Sequence, residues 1–371
     1  MDKKLGVGII GASPDRGWAS DAHIPALTAL KELEFIALST SRKESAELAS
    51  KQFGVALAFD NHESLVSCPE VDLVAVTVKV PHHLELATAA INAGKAVYCE
   101  WPLGNGLEEA EALARMAQDK GVFAAVGLQA RSAPVIRYVK DLIADGYIGE
   151  VLSSTIVADA INWGADVQQC YTYLLDHKNG ASMLTIPFGH TIDAFCWCLG
   201  EFNELSATTA TRRPKVTLVE TGEQLDCDVA DQIAINGVLE NGAVASVHFR
   251  GGYSRGTHFL WEITGTKGDL VISADGGHIQ MLPLSLKGAQ GSETELQSMP
   301  VPEKYNNIAD TDLPDGPPAS VARAYRHLME DLNSGQQTLP GFDDAVVRHR
   351  LLEAIELSAK TGTRQSYKTT Y

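Results

Sequence analysis

The chain has 371 residues, of which 45% are apolar and 21% are charged, a composition typical of a globular protein with a sizeable core. Its formal net charge is −17, from 30 basic and 47 acidic residues, and an acidic chain gains nothing from releasing counterions on nucleic acid. We therefore expect no direct binding to DNA or RNA, and because no apolar run reaches the length of a membrane span, we expect no membrane insertion.

The first third of the chain alternates apolar runs with helical patterns. The strand-like runs are LGVGIIGA, EFIALST, DLVAVTV, AVYCE and FAAVGLQ. Between them lie segments such as KESAELASKQFG and LEEAEALARMAQDKG, whose apolar residues recur at helical spacing. This alternation predicts an α/β fold with a parallel sheet and right-handed crossovers.

The pattern changes after Gln129. One more helix, SAPVIRYVKDLIADGYIG, precedes long strand-like runs that carry two hairpin signals, Asn241-Gly242 and Gly276-Gly277. These runs predict a mostly antiparallel sheet, followed by a Pro- and Asp-rich connection and two closing helices. We place a nucleotide-binding domain at residues 1–128 and an α+β domain at residues 129–371.

A glycine-rich turn follows the first strand, in GVGIIGASPDRGWASDAHIPAL. Gly11 fits the first position of the dinucleotide-binding pattern Gly-x-Gly-x-x-Gly, Ser13 occupies the second, and Gly17 is the next glycine, before Trp18. Such a turn lets the backbone approach a pyrophosphate at a helix N-terminus. The sequence predicts a dinucleotide turn; the alternative is a tight turn without a ligand.

The end of the second strand bears on the choice between NAD and NADP. An NAD site usually has an acidic residue there, whereas this chain has hydroxyl groups up to Ser41 and then the basic pair Arg42 and Lys43. Hydroxyls and cations suit a 2′-phosphate, so both NAD and NADP stay open. Other strand ends are expected to face the same crevice, and they add the candidate cofactor residues Thr77, Lys79, Pro81, Glu100, Trp101 and Gln129.

A candidate general base lies in GASMLTIPFGHTIDAFCWCLG. His190 and Asp193 are three residues apart and share one face of a predicted helix. An acidic partner can fix the orientation of a histidine and raise its basicity, which suits proton abstraction from a hydroxyl. The alternative is a structural histidine. We expect no metal site, because no zinc-ligand spacing occurs, and the six cysteines are expected to be reduced thiols.

The chain resembles the Gfo/Idh/MocA oxidoreductase superfamily over nearly its whole length. The marks are GVGIIGA, AGKAVYCEWPLG, GHTID, GTKGDL and AVVRHRLLEAIELSAKTG, in this order. The resemblance implies an N-terminal Rossmann domain with a doubly wound parallel sheet, a C-terminal α+β domain with a large open sheet, a bound NAD(P) and sugar-like substrates. TVKVP, EWP and FGHTID resemble the branch that contains the fungal galactose-regulon repressor, and the chain also stands near the NAD-dependent glycosidases.

Two positions depart from the family pattern. Trp101 stands where the family usually has a lysine for proton transfer, and Ile186 stands where many of its dehydrogenases have an aspartate. Trp101 is interpreted as a packing wall, which leaves His190 as the principal proton-transfer residue. The remaining candidates are Asp193 to orient His190, Tyr171 and Tyr173 as second-choice acids, and Arg131 and Trp163 as substrate-binding residues with His190.

Two functions follow as hypotheses. The first is an enzyme that moves a hydride between a sugar or glycoside and bound NAD or NADP, either as a net dehydrogenase or as a glycosidase that oxidises its substrate transiently, for example an anionic hexoside such as a sulfoquinovoside. The second is a dinucleotide-sensing regulator that binds another protein. Because the chain begins directly with a strand, we expect a cytoplasmic protein, and its open sheet predicts a homodimer or homotetramer.

Overall fold

The computed structural model describes residues 4–367. The chain forms two compact units. The first holds the chain through Ser132 together with Asn307–Val346, and the second holds Ala133–Asn306 together with the residues from Val347 onward. The division near residue 132 lies close to the predicted boundary, but residues 307–346 were expected in the second domain and belong to the first unit.

The first unit contains a six-stranded sheet in which every neighbouring pair is parallel. The strand order is β3-β2-β1-β4-β5-β6. This is the doubly wound arrangement that the sequence predicted. The strands are β1 (Leu5–Ile10), β2 (Leu33–Ser39), β3 (Leu57–Phe59), β4 (Leu73–Val76), β5 (Ala96–Glu100) and β6 (Ala124–Gly127).

Helices connect these strands, as parallel pairing requires. A short π-helical segment, Ala19–His23, runs directly into the first of them. The central strand β4 is buried along its whole length, as expected of a strand covered on both faces. The helices are α1 (Ile24–Ala29), α2 (Lys43–Phe53), α3 (His62–Val66), α4 (His83–Asn92) and α5 (Leu107–Lys120).

The second unit is built on an eight-stranded sheet of order β17-β16-β15-β14-β7-β13-β12-β9. All its pairs are antiparallel except β13 with β7, so the expectation of a mostly antiparallel sheet is confirmed. Its strands are β7 (Val151–Ala160), β9 (Phe202–Ala210), β12 (Gln232–Leu239), β13 (Val244–Gly251), β14 (Phe259–Gly265), β15 (Gly268–Ala274), β16 (Ser285–Gln290) and β17 (Gln297–Ser298). A smaller sheet joins β8 (Asp166–Val167), β10 (Lys215–Leu218) and β11 (Gln224–Asp226), and the helices are α6 (Pro134–Ala144) and α7 (Pro187–Leu199).

The two hairpin signals have different outcomes. Asn241-Gly242 joins β12 to β13 with Gly242 at φ +89°, a tight hairpin as predicted. Gly276 and Gly277 instead lie in the longer connection 275–284 between β15 and β16. A Cβ atom on Gly277 would lie 2.2 Å from the Asp159 carbonyl oxygen, so this glycine permits a close backbone approach.

Two long helices close the described chain, α8 (Pro317–Ser334) and α9 (Phe342–Thr361). The apolar face of α8 packs into the core of the first unit, where Tyr325 and Leu328 join Ile9 and Leu27. This packing is the physical reason why residues 307–346 belong to the first unit. Within residues 4–367, no helix combines the length and the hydrophobicity that crossing a bilayer requires.

Candidate functional site

The turn after β1 can hold only a glycine at position 11. Gly11 has φ +101°, and a Cβ atom there would lie 2.7 Å from Val78 Cγ1 and 3.2 Å from Thr77 Oγ1. The backbone N–H of Ser13 donates to the Gly11 carbonyl at 2.9 Å, so the chain turns sharply away from the strand. The strand end and turn therefore have the close backbone packing that a dinucleotide turn needs.

The loop that follows is more open. Gly17 has φ +131°, and a Cβ atom added there would meet no atom within 4 Å, while the Ser20 hydroxyl donates to the Ser13 carbonyl at 2.6 Å. Trp18 has a buried indole N–H that finds no hydrogen-bond partner within residues 4–367. The partial positive charge of a helix start, an open glycine and a buried N–H donor fit the phosphates and polar groups of a dinucleotide.

The end of β2 offers no carboxylate at the position of an NAD-specific ribose contact. Ser41 and Arg42 are exposed, and Arg42 is the residue directly before α2. The Thr40 hydroxyl donates to the Arg42 carbonyl at 2.9 Å and fixes the backbone of this corner. The choice between NAD and NADP stays a prediction.

The loop after β4 is tied to its neighbours by hydrogen bonds. The Thr77 hydroxyl donates to the Ile10 carbonyl at 2.9 Å. Lys79 directly precedes a short 3₁₀ turn, Val80–His82, which contains Pro81 and leads into α4. His83, the first residue of α4, follows this turn. It is buried, and its ring nitrogens lie 2.8 Å from the Pro102 carbonyl and 3.0 Å from the Val78 carbonyl.

Because of these contacts, His83 joins the loop after β4 to the turn after β5. Burial lowers the pKa of His83, and the facing carbonyls and Glu100 oppose that shift. This role was missed from the sequence. Its only signal was the position of His83 just beyond a strand end, where a doubly wound sheet carries its functional loops.

Glu100 and Gln129, predicted as cofactor residues, belong to a buried hydrogen-bond network in the first unit. His23 Nε2 lies 2.8 Å from Glu100 Oε1, and His23 Nδ1 lies 2.7 Å from the Tyr325 hydroxyl. The Gln129 amide nitrogen donates to both Glu100 oxygens, at 2.9 and 2.8 Å. This set of His23, Glu100, Gln129 and Tyr325, here called the glutamate network, fixes the end of β5 directly before Trp101.

Trp101 itself is 5% exposed. An indole carries an N–H donor and no basic nitrogen, so it cannot take up a proton near neutral pH. The residue at the usual lysine position is therefore a buried aromatic wall, and any proton acceptor has to come from another part of the chain.

In the second unit, His190 and Asp193 lie on one buried face of α7, as their spacing predicted. Arg348 Nε donates to Asp193 Oδ1 at 3.2 Å, and the same guanidinium contacts Glu201 at 2.8 Å. Asp193 is thus held by a buried ion-pair network that the sequence did not reveal. Its role in orienting His190 stays a prediction.

A second histidine, absent from the sequence-based candidates, lies beside this helix. The Thr191 hydroxyl donates to the Gly277 carbonyl at 3.4 Å, which brings His190 and His278 into one neighbourhood. The His278 ring stacks on Trp163 with centroids 6.4 Å apart and an angle of 15° between the planes. We call Trp163, His190 and His278 the histidine cluster.

His278 is uncharged at neutral pH. Burial lowers its pKa to about 4, and the charge of His190 acts in the same direction. Its Nε2 atom is buried and makes no hydrogen bond to any residue in the described part of the chain. An unsatisfied buried polar atom costs about 1–3 kcal/mol of stability.

Trp163 adds a second unfavourable feature to the same cluster. Among the described residues, Trp163 is the one residue other than glycine whose backbone has positive φ, at +61°. An aromatic residue in the left-handed region costs of order 1–3 kcal/mol, and such residues concentrate at functional sites. The indole N–H donates to the Leu174 carbonyl at 3.3 Å, which holds the ring in place.

The remaining candidates, Tyr171, Tyr173 and Arg131, lie in separate segments of the chain. Tyr171 and Tyr173 lie in the 3₁₀ segment Gln169–Leu175; Tyr171 is 40% exposed, and burial raises the pKa of Tyr173. Arg131 is buried in the first unit, and its guanidinium donates to Asp344 Oδ1 at 2.8 Å. The structure thus gives Arg131 an acidic partner of its own, which does not favour the predicted contact with an anionic substrate.

The fold and these residues define a two-unit protein with a Rossmann dinucleotide-binding unit and an α+β unit. Residues 5–128 match the family model for the oxidoreductase family with an NAD-binding Rossmann fold, and residues 134–274 match the model for the C-terminal domain of Gal80p. Dehydrogenase aclE of Aspergillus oryzae is 34% identical, covering 99% of this chain and 100% of that protein. The chain belongs to the Gfo/Idh/MocA oxidoreductase family, as the resemblance implied.

Two further relatives show the range of this family. The galactose/lactose metabolism regulatory protein GAL80 of Saccharomyces cerevisiae is 27% identical, covering 96% of this chain and 93% of that protein. A levoglucosan dehydrogenase solved in complex with NADH and L-sorbose has a TM-score of 0.86 at 24% identity, over 99% of both chains. The last similarity concerns the fold.

Proposed function

We propose that this protein is a nicotinamide-dependent sugar oxidoreductase that moves a hydride between the carbon of a sugar hydroxyl and the cofactor, with His190 as the proton acceptor. The observation that carries the proposal is the histidine cluster: a buried imidazole, His190, lies near a second, uncharged imidazole, His278. Membership in an NAD-binding oxidoreductase family supports the same reading.

Oxidation of a secondary alcohol requires that the hydroxyl proton leaves as the hydride departs. A bound nicotinamide dinucleotide supplies the hydride acceptor. His190 takes the proton, because Trp101 at the usual lysine position has no basic nitrogen. Since positive charge on His190 lowers the pKa of His278, protonation of His190 leaves His278 neutral, and the cluster carries a single added charge.

Gly11, Ser13, Gly17 and Trp18 are the residues proposed to hold the dinucleotide. We propose NAD as the cofactor, supported by the match of residues 5–128 to the family model with an NAD-binding Rossmann fold. NADP is the second candidate, because Arg42 and the adjacent hydroxyls suit a 2′-phosphate. Calorimetric titration with NAD and NADP decides between them.

A dinucleotide-sensing regulator is the second candidate function. Two observations favour it: residues 134–274 match the C-terminal domain of Gal80p, and the lysine position holds Trp101. The two functions differ in one property. A regulator of this kind binds the dinucleotide without reducing it, whereas an oxidoreductase reduces NAD when its sugar is present.

The test is to incubate the protein with NAD and a set of neutral sugars and aryl glycosides, and to follow both reduced nicotinamide and released aglycone. Accumulating NADH supports a net dehydrogenase, and aglycone release without accumulating NADH supports a redox-cycling glycosidase. Tight NAD binding with neither product contradicts the proposal and favours the regulator. A Gly11→Asp variant controls for contaminating enzymes, because its activity should fall with its affinity for NAD.

A further inference from the structure

The histidine cluster contains a feature that the proton-transfer step does not use. His190 is sufficient to accept one proton, yet His278 is also buried beside it with an Nε2 atom that no residue within 4–367 satisfies. Native proteins satisfy nearly all buried polar atoms, so an exception of this kind calls for an explanation. The strained backbone of Trp163, whose ring stacks on His278, is a second and independent exception in the same place.

Both features are expected if the cluster is shaped for a ligand. Trp163 holds the imidazole plane through stacking, and its own indole N–H is fixed by the Leu174 carbonyl at 3.3 Å. Thr191 and Gly277 join the two histidine-bearing segments through a hydrogen bond of 3.4 Å. The His278 ring therefore has a defined orientation, with one polar atom left for a partner that comes from outside the chain.

We propose that His278 is a substrate-binding residue whose Nε2 atom hydrogen-bonds a hydroxyl of a neutral sugar, while Trp163 holds the imidazole for that contact. This inference rests on the proposed function and adds the class of substrate. A hydroxyl suits Nε2 in either tautomer of the neutral imidazole, because an O–H group can accept a hydrogen bond from an N–H or donate one to a bare ring nitrogen.

The charges also favour a neutral sugar over a phosphorylated or sulfonated one. His278 carries no positive charge at neutral pH, since its pKa lies at about 4. Arg131, the cation that the sequence suggested for an anionic group, is already bound to Asp344 at 2.8 Å.

Two variants of His278 separate a ligand-binding role from a structural one. His278→Phe keeps an aromatic ring to stack on Trp163 and removes the unsatisfied nitrogen. His278→Gln keeps a donor and an acceptor. Thermal unfolding of the protein without ligands, together with KM and kcat for levoglucosan, D-glucose and D-glucose 6-phosphate, gives the readout.

We expect His278→Phe to unfold at the same temperature as the wild type or higher, because it buries no unsatisfied polar atom. Its KM for the neutral sugars should rise about tenfold with little change in kcat, and His278→Gln should recover most of the affinity. The wild type should use D-glucose or levoglucosan in preference to D-glucose 6-phosphate.

A lower unfolding temperature for His278→Phe, an unchanged KM, or a preference for the phosphorylated sugar overturns the inference. The two levels of the proposal fail differently. If the wild type turns over a neutral sugar and His278→Phe keeps its KM, the inference fails alone. If the wild type reduces NAD with none of these sugars and binds none of them, the proposed function fails and the inference with it.

Discussion

The glutamate network of the first unit and the histidine cluster of the second are both buried groups of polar and aromatic side chains, but they are satisfied to different degrees. In the network, both ring nitrogens of His23 and both oxygens of Glu100 have partners at 2.7–2.9 Å, whereas the amide oxygen of Gln129 is buried without a partner in the described chain. In the cluster, His278 Nε2 has no partner among the residues described, and Trp163 adopts positive φ.

This difference separates side chains that stabilise a fold from side chains that await a ligand. A buried network in which most polar atoms are hydrogen-bonded lowers the free energy of the folded chain and fixes a loop, here the turn that carries Trp101. An unsatisfied and strained cluster lowers stability, and proteins retain such features mainly where function requires them. Substitutions in the two groups should therefore have different effects on activity and on stability.

The largest expected effect is at His190. General acid–base catalysis is typically worth about 10²–10⁴ in rate, so His190→Ala should lower turnover by a factor in that range. Its affinity for the dinucleotide should stay close to that of the wild type, because the residues proposed to bind it lie in the first unit. Steady-state kinetics and calorimetry measure both quantities, and wild-type turnover in this variant would refute the assignment.

A loss of dinucleotide affinity is expected at Gly11. A Cβ atom at position 11 would lie 2.7 Å from Val78 Cγ1, and the substituted residue would have to adopt φ +101°. Gly11→Asp also adds a negative charge where phosphates are proposed to bind, so we expect affinity for NAD to fall about a hundredfold or more.

Gly17→Ala is the matched control for Gly11→Asp. Gly17 also has positive φ, at +131°, but no atom lies within 4 Å of the position that a Cβ atom would take there. Gly17→Ala should lose less affinity. Equal affinity of Gly11→Asp and the wild type would remove the proposed dinucleotide turn.

The contrast between the two clusters predicts opposite effects of losing a polar group. Tyr325→Phe removes the partner of His23 Nδ1 at 2.7 Å and leaves a buried nitrogen unsatisfied. It should lower the free energy of unfolding by about 1–3 kcal/mol, whereas His278→Phe should not lower it. Denaturant unfolding of both variants tests this, and equal destabilisation would show that the two clusters do not differ as described.

The two faces of the eight-stranded sheet offer a further comparison. Along β13, Val247 and Phe249 point to one face and are buried. Val244 and His248 point to the opposite face and are exposed. We propose that this open face forms a homodimer or homotetramer, since an exposed sheet face with apolar residues invites a partner. Light scattering at micromolar concentration should give a mass two or four times that of the chain, and a monomer would contradict the proposal.

Much of this architecture could be predicted from the sequence. Apolar runs between helical patterns predicted the parallel sheet, although the three-residue strand β3 was too short to be recognised. The amphipathic pattern of α8 predicted a packed helix but not its partner, because an apolar stripe does not specify which core it joins. The segment 307–346 was misassigned for that reason.

Site residues could be predicted where their role shows in the spacing of residues that are close together in the sequence. Gly11 and His190 stood out through their spacing to neighbouring residues. His278 and His83 did not, because each acquires its surroundings from segments distant in sequence: Trp163 and α7 for His278, and the turn after β5 for His83. The ion pair between Arg348 and Asp193 is another such long-range contact.

The central claim is that the protein oxidises a sugar and does not merely sense a dinucleotide. The most direct measurement mixes NAD-loaded protein with a sugar deuterated at the reacting carbon and follows the first turnover by the absorbance of reduced nicotinamide. We predict that reduced nicotinamide forms and that deuterium slows its formation, because the bond to that hydrogen breaks in this step. Saturating sugar that binds the protein but produces no reduced nicotinamide, even transiently, would contradict the claim.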